Sequence, residues 1–206
     1  MLWRYLPLVG TTVFLAIGFV WRPWLQARRH GTAGVLLFRS RHRGQLVRDV
    51  LTVVFFALLL GQAIAIAVFP EWLPRRALAT GSAVELMRIP GAVLLFSGLA
   101  LLVTAQLHLG AAWRIGIDDT ARLGLVTSGL YAFSRNPIYL AFAIVMIGYT
   151  LLIPTLLSLI LLVGNFIGSR QQALREEEYL ARTYGDAWRH YAGRVGRFLA
   201  RVGRLR

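Results

Sequence analysis

The sequence predicts an all-α, polytopic membrane helix bundle. About five transmembrane helices are expected, the last two forming a helical hairpin that leads into a cytoplasmic helical tail. Three observations carry this. Of 206 residues, 57% are hydrophobic, against about 45–50% in a soluble domain. The excess lies in long runs without charge. The net charge is +14, and the arginines that supply it sit between the apolar runs rather than within them.

The first run, 5–21, is bracketed by Arg4 and Arg22 and is long enough for a short span. It lacks a small-x-small cleavage site and arginines follow it directly, so it reads as a retained anchor rather than a signal peptide. The second, 50–69, ends at Phe69-Pro70, where proline disfavours continuation of a helix. The third, 89–110, lies inside an uncharged stretch bracketed by Arg88 and Arg114. The fourth stretch, between Arg135 and Arg170, has 34 uncharged residues. At ~1.5 Å per residue that exceeds one crossing of a ~30 Å core. Pro154 lies near its middle, so two arms are expected, 138–153 and 155–169. The second should continue as a helix through Arg170–Tyr184, with Gly185 marking a helix end. The whole of 1–206 then reads as a single integral membrane domain, with the tail 170–206 completing a site.

Charge sets the orientation. With the N-terminus outside, nineteen of the 23 arginines fall on cytoplasmic segments, as the positive-inside bias requires. The same basic residues suit anionic membrane lipids, and nucleic acid is not expected as a partner. The loop 22–48 carries an apolar patch, Val35–Phe38, suited to the interface. There is no Lys and no Cys, which excludes Schiff-base chemistry, thiol nucleophiles and thiolate metal sites. His30, His42 and His190 lack metal-ligand spacing, so no metal is expected. No Ser-His-Asp order, P-loop or glycine-rich dinucleotide turn is present.

Two segments look chemically unusual, and the predicted topology puts both on the cytoplasmic side. In 124-GLVTSGLYAFSRNPIYL-140, Asn136-Pro137 reads as a helix start, with Asn as N-cap and Pro at the first helical position. Free backbone N–H groups and a positive dipole end would then face the interface, a place for a carboxylate or phosphate. Tyr131, Arg135 and Tyr139 crowd the same end, where they can equally be interfacial anchors. In 170-RQQALREEEYLARTYGDAWRHYAGRVGRF-198, consecutive glutamates point about 100° apart on a helix. Surface pairing explains them, Glu178 with Arg182 for example; so does a carboxylate accepting from a ribose diol. Trp188 and Tyr191 suit an interfacial helix. His108 lies in a membrane helix and is either functional or a hydrogen-bonded structural group. Asp118-Asp119 can form a turn or pair with Arg114.

Taken in order, 125-LVTSGLYAFSRNPIYL-140, the proline-centred hairpin and 176-EEEYLARTYGDAWRHY-191 resemble the isoprenylcysteine carboxyl methyltransferase family, within a wider group that includes phospholipid N-methyltransferases. The resemblance covers about the C-terminal 95 residues; 1–110 match as generic membrane helices. It implies an integral membrane enzyme that uses S-adenosylmethionine (SAM) and methylates a lipophilic small-molecule or lipidated acceptor, with a carboxylate as the preferred acceptor and a phospholipid-type amine as the alternative. The family's Arg-His-Pro-x-Tyr motif falls on Arg135-Asn136-Pro137-Ile138-Tyr139, with Asn in place of His. The resemblance implies cofactor contacts at Leu125, Val126, Tyr131, Asn136, Pro137, Ile138, Tyr139, Glu176 and Glu177, and catalytic roles for Arg135 and Glu176. A substrate-contacting Arg of eukaryotic members aligns with Gln172, leaving Arg170 and Arg175 as the substrate-binding candidates. The Asn-Pro-x-Tyr turn also resembles membrane sterol reductases that bind NADPH, whereas Glu176-Glu177 favours the methyltransferase. A transporter or scaffold finds no support in inverted repeats or midplane charges. The size and arginine usage suggest a bacterial inner membrane. The sequence sets no oligomeric state.

Overall fold

The computed structural model describes residues 2–35, 37–38, 43–71, 77–79, 81–115, 124–199 and 202–203. Asp118, Asp119 and His42 lie outside the described residues. Among the described residues there are five long helices: α1 Leu2–His30, α2 Arg43–Val68, α3 Ser82–Leu109, α4 Pro137–Leu152 and α5 Leu156–Arg194. Short 3-10 turns follow α3 (Gly110–Ala112) and precede α4 (Gly129–Ala132). Among the described residues there are isolated bridges but no strands.

α1, α2 and α3 are each long and apolar enough to cross a membrane. Their outward faces carry large exposed aliphatic and aromatic side chains, such as Leu51, Leu58 and Val93, and α5 does the same at Ile160, Val163 and Ile167. In water such a band would be an aggregation hazard; against hydrocarbon it is the solvated surface. The protein is a membrane protein.

The apolar runs mark the helices, but the helices outrun them. α1 continues nine residues past 21 because Arg22, only 2% exposed, turns inward. Its guanidinium donates to the Gly110 carbonyl at 2.6 Å and stacks on Trp113. The helix stops at Gly31, whose φ of 74° is left-handed backbone suited to glycine. α2 starts at Arg43 and α3 at Ser82, each about a turn or two before the uncharged run.

α3 and α4 lie antiparallel and close. Gly91 faces Gly148 and Leu151, and a Cβ on Gly98 would sit 2.8 Å from the Val145 backbone nitrogen. Small residues bring the backbones together where lipid gives no hydrophobic drive for helix association. Phe14 of α1 packs into the same core with Leu95, Leu102 and Val145. A second core joins α2, α4 and α5 through Leu59, Ala63, Met146, Tyr149 and Leu161.

The turn at 153–155 separates the hairpin arms. Thr155 caps α5 by accepting from the Ser158 N–H. Gln62 of α2 donates to Thr155 Oγ1 at 2.6 Å, and its carbonyl oxygen accepts from Tyr149 and Ser158. This polar cluster fixes the turn to α2. Beyond residue 169, α5 continues to Arg194, interrupted at Gly185, where φ is 51°. Gly185 therefore marks a kink rather than the end of the helix.

Candidate functional site

A cleft lies where the end of α3, the segment 124–136, the first turn of α4 and the polar half of α5 meet. Its position follows from the hairpin. The turn at Pro154 sends α5 back alongside α4, so residues about 37 positions apart in sequence become neighbours. Tyr139, in the first turn of α4, donates its hydroxyl to Glu176 Oε1 at 2.6 Å. Gln172, one turn earlier on α5, donates to the same oxygen at 3.1 Å. Burial pushes the Glu176 carboxyl above the usual carboxylate range, opposed by these hydrogen bonds and by the charge of Arg114.

The three glutamates have three different fates, as their 100° spacing allows. Glu176 faces the cleft. Glu178 lies on the outside, 3.6 Å from Arg182, with both side chains about two-thirds exposed. Glu177 points toward the C-terminal strap, residues 195–199 and 202–203. Both of its oxygens accept from Arg197 at 2.9 Å, and Oε1 also lies 3.1 Å from Arg135. The strap pairs with the entrance to α4: the Arg135 N–H donates to the Gly196 carbonyl and the Asn136 N–H to that of Arg197. The Glu177 hydrogen bond holds the Arg197 guanidinium above its ordinary pKa.

Asn136 stands at the N-cap and Pro137 at the first helical position. The Asn136 side chain does not cap the helix, however. Its amide donates to the Arg197 carbonyl at 3.2 Å and, more weakly, to Glu177 at 3.4 Å. The side chain thus adds a second bond to a carbonyl that already accepts from the Asn136 backbone N–H.

Arg135 is equally committed. Its NH1 donates to the Ala192 carbonyl at 3.0 Å and its NH2 to that of Gly203 at 2.8 Å, and its side chain is fully enclosed. It stacks on Trp188. Burial lowers its pKa and the Glu177 charge opposes this. Such a guanidinium borders the cleft and at the same time holds the α4 entrance to the strap.

Of the sequence-derived cofactor contacts, Leu125, Val126, Tyr131, Asn136, Ile138, Tyr139, Glu176 and Glu177 all border the cleft; Pro137 is buried behind it. Burial, then the Glu176 charge, raises the Tyr131 hydroxyl. Arg170 is exposed on α5 and does not line the cleft. Arg175 also lies outside it, close enough to Arg48 for their charges to repel.

The structure adds residues the sequence gave other roles. Trp188 and Tyr191, read as interfacial, are 2% and 4% exposed and pack with Ala192 and Val195 beneath the cleft. Tyr191 donates to the Tyr131 carbonyl at 2.6 Å, and burial pushes its hydroxyl up to about 12. Tyr184 and Arg114 complete the lining. The signal for Trp188 and Tyr191 was their spacing of three, which places both on one helical face with Ala192 and Val195. His108 is structural: its Nδ1 accepts from the Leu130 N–H at 3.1 Å, and its ring abuts Gly129.

Residues 86–187 match the family model for phospholipid methyltransferases. Across that segment, which is just under half of the chain, the sequence is similar to the phospholipid methyltransferases. The matched span begins in α3 and ends in the last turns of α5, so it takes in the cleft-forming elements. The fold is also similar to a solved structure of the eukaryotic intramembrane Ras methyltransferase, isoprenylcysteine carboxyl methyltransferase. The TM-score is 0.57 at 18% identity, over 96% of this chain and 75% of that one. No curated protein matches the sequence. The chain is a membrane methyltransferase, and methyltransferases of this kind generally use SAM.

Proposed function

We propose that this protein transfers a methyl group from SAM to the carboxylate of a lipophilic or lipidated acceptor, at the cytoplasmic face of the membrane. The observation that carries the reading is the Tyr139–Glu176 contact, which joins the entrance of α4 to the acidic segment of α5 in one cleft. The lining suits SAM. Glu176 is a carboxylate able to accept from ribose hydroxyls, and aromatic rings such as Tyr131 and Tyr184 offer faces to a sulfonium. SAM supplies an electrophilic methyl on a positively charged sulfur.

The chain's own residues need to hold and align the reactants. Glu176, oriented by Tyr139 and Gln172, fixes the sugar. Leu125, Val126 and Ile138 give apolar walls. Arg135, Asn136 and Glu177 keep the α4 entrance in place through the strap. With SAM held this way, these residues would set an acceptor oxygen in line with the methyl group the cofactor would supply. A carboxylate acceptor is already ionised and gives up no proton; an amine would have to lose one. The protein therefore contributes mainly alignment, which is worth up to ~7–11 kcal/mol in favourable systems. Exposed apolar helices beside the cleft let a lipid-borne acceptor approach laterally while SAM enters from the aqueous side. This requires the N-terminus outside and the C-terminus in the cytoplasm, in keeping with the arginine distribution.

The phospholipid methyltransferase match favours a second reading, methylation of a phospholipid amine. Incubating membranes with methyl-labelled SAM separates the two. Label released by base as from an ester supports the carboxylate reading. Label in the amine headgroups of lipids replaces it with the second. NADPH binding without SAM binding overturns both, and Glu176→Gln should abolish labelling in either case.

A further inference from the structure

The cleft holds two guanidinium groups, Arg135 and Arg114, and they are not equivalent. Arg135 is enclosed and its two terminal nitrogens are bound to two carbonyls and Glu177, although its Nε also lacks a partner. Arg114 follows the 3-10 turn that ends α3. Its guanidinium stacks over Tyr179, 5.3 Å from the ring centroid, and its charge acts on Glu176 across the cleft. No carboxylate forms an ion pair with it among the described residues. Its NH1 nitrogen is shielded from solvent and has no hydrogen-bond partner.

A shielded N–H of a permanent cation without an acceptor is costly. Here it stands in the wall of a cleft that must take charged ligands. The other charge near it, Glu176, already accepts from Tyr139 and Gln172. Tyr179 supports one face of the guanidinium plane, and the unpartnered NH1 is the edge that a planar anion in the cleft would have to meet. The bidentate fork of Arg matches a carboxylate, and the match is lost with Lys, whose ammonium is a point charge.

We infer that Arg114 is a binding residue for a ligand carboxylate in the cleft. The inference rests on the SAM-dependent reading above and deepens it. Two carboxylates qualify: that of the methionine portion of SAM, and that of the methyl acceptor. The chemistry is shared, a planar anion meeting the free edge of Arg114, and the two sources are separable by experiment.

Titration calorimetry on the full chain in detergent micelles tests this with wild type, Arg114→Gln and Arg114→Lys. The first arm uses SAM and decarboxylated SAM. If the donor carboxylate is the partner, Arg114→Gln weakens SAM binding at least tenfold but leaves decarboxylated SAM unaffected. The second arm uses an N-acetyl-S-prenylcysteine and its uncharged amide, with S-adenosylhomocysteine present. If the acceptor carboxylate is the partner, the variant weakens the acid at least tenfold and not the amide, while SAM affinity stays at the wild-type value. In either supporting case Arg114→Lys recovers only part of the loss. Equal loss for a charged ligand and its neutral analogue overturns the inference, since it points to collapse of the wall. Unchanged binding of both acids overturns it as well. A wild-type protein that binds SAM while Arg114→Gln behaves normally refutes this inference alone; a wild type that binds no SAM refutes the proposed function together with it.

Discussion

Replacing Glu177 with alanine removes the carboxylate that ties the C-terminal strap to the entrance of α4. In the native protein it accepts two hydrogen bonds from Arg197 at 2.9 Å and lies 3.1 Å from the enclosed Arg135. Breaking a buried ion pair from one side typically costs about 3–5 kcal/mol, because the remaining charge is left uncompensated. Arg197 is about one-fifth exposed and can regain water, whereas Arg135 cannot but keeps its two carbonyl partners. The lower end of the range, about 3 kcal/mol, is therefore expected. For a chain of this size that corresponds to a fall in Tm of roughly 6–12 °C. The neighbouring variant Glu178→Ala is the control: its pair with Arg182 is exposed, and such pairs contribute about 0–1 kcal/mol. Thermal unfolding in one detergent, with limited proteolysis to report release of the strap, measures both. If Glu177→Ala and Glu178→Ala melt within a degree of each other, the assignment of Glu177 to the strap is wrong.

Glu176→Gln separates stability from binding. Because burial raises the Glu176 pKa in the folded state, the folded form favours its protonated carboxyl. The stability associated with that proton is fully present below the unfolded pKa and is lost as pH rises through the folded one. Glu176→Gln should therefore match wild type at low pH and exceed it in thermal stability at neutral pH, while losing SAM binding by calorimetry; lower stability at neutral pH would contradict the burial argument. By the same titration, wild-type SAM affinity should rise as pH increases through a range above that of an ordinary carboxylate. Gly148→Ala places a Cβ against the Leu95 backbone, and overpacking of this kind costs about 1–3 kcal/mol. Gly164→Ala on α5 meets nothing within 4 Å and should be neutral or slightly stabilising in the same melt. Gln62→Leu removes one partner each of Thr155, Ser158 and Tyr149 at the hairpin turn; each keeps another, in the Ser158 N–H, the Ile153 carbonyl and the Leu59 carbonyl, so a loss of about 0.5–1.5 kcal/mol is expected, read by denaturant unfolding.

The membrane helices were legible because bilayers impose a length and a polarity that local sequence must satisfy. Charge-free runs located the five long helices among the described residues, and Pro154 located the hairpin turn. Their ends were less legible. Arg22 marked a boundary only under the assumption that a charge must reach water; a carbonyl and an indole ring just after α3 met it instead. Asn136 and Pro137 gave the start of α4 correctly, but the Asn side chain found its partner in a strap 61 residues away. Trp188 looked interfacial for the same reason: an amphipathic ring suits either lipid headgroups or a packed interior, and only its neighbours distinguish them.

By itself, then, the sequence determined that this chain crosses a membrane, where it turns, and that two polar segments lie at the same membrane face. These follow from solvation and helix periodicity, which act over a few turns of chain. Tertiary structure alone decided what each charge does. Three adjacent glutamates became a cleft carboxylate, a clamp and a surface group, while one arginine was tied to the strap and another set in the cleft wall without an ion pair among the described residues. Electrostatic role depends on partners within about 4 Å, and here those partners come from helices and a strap far apart along the chain.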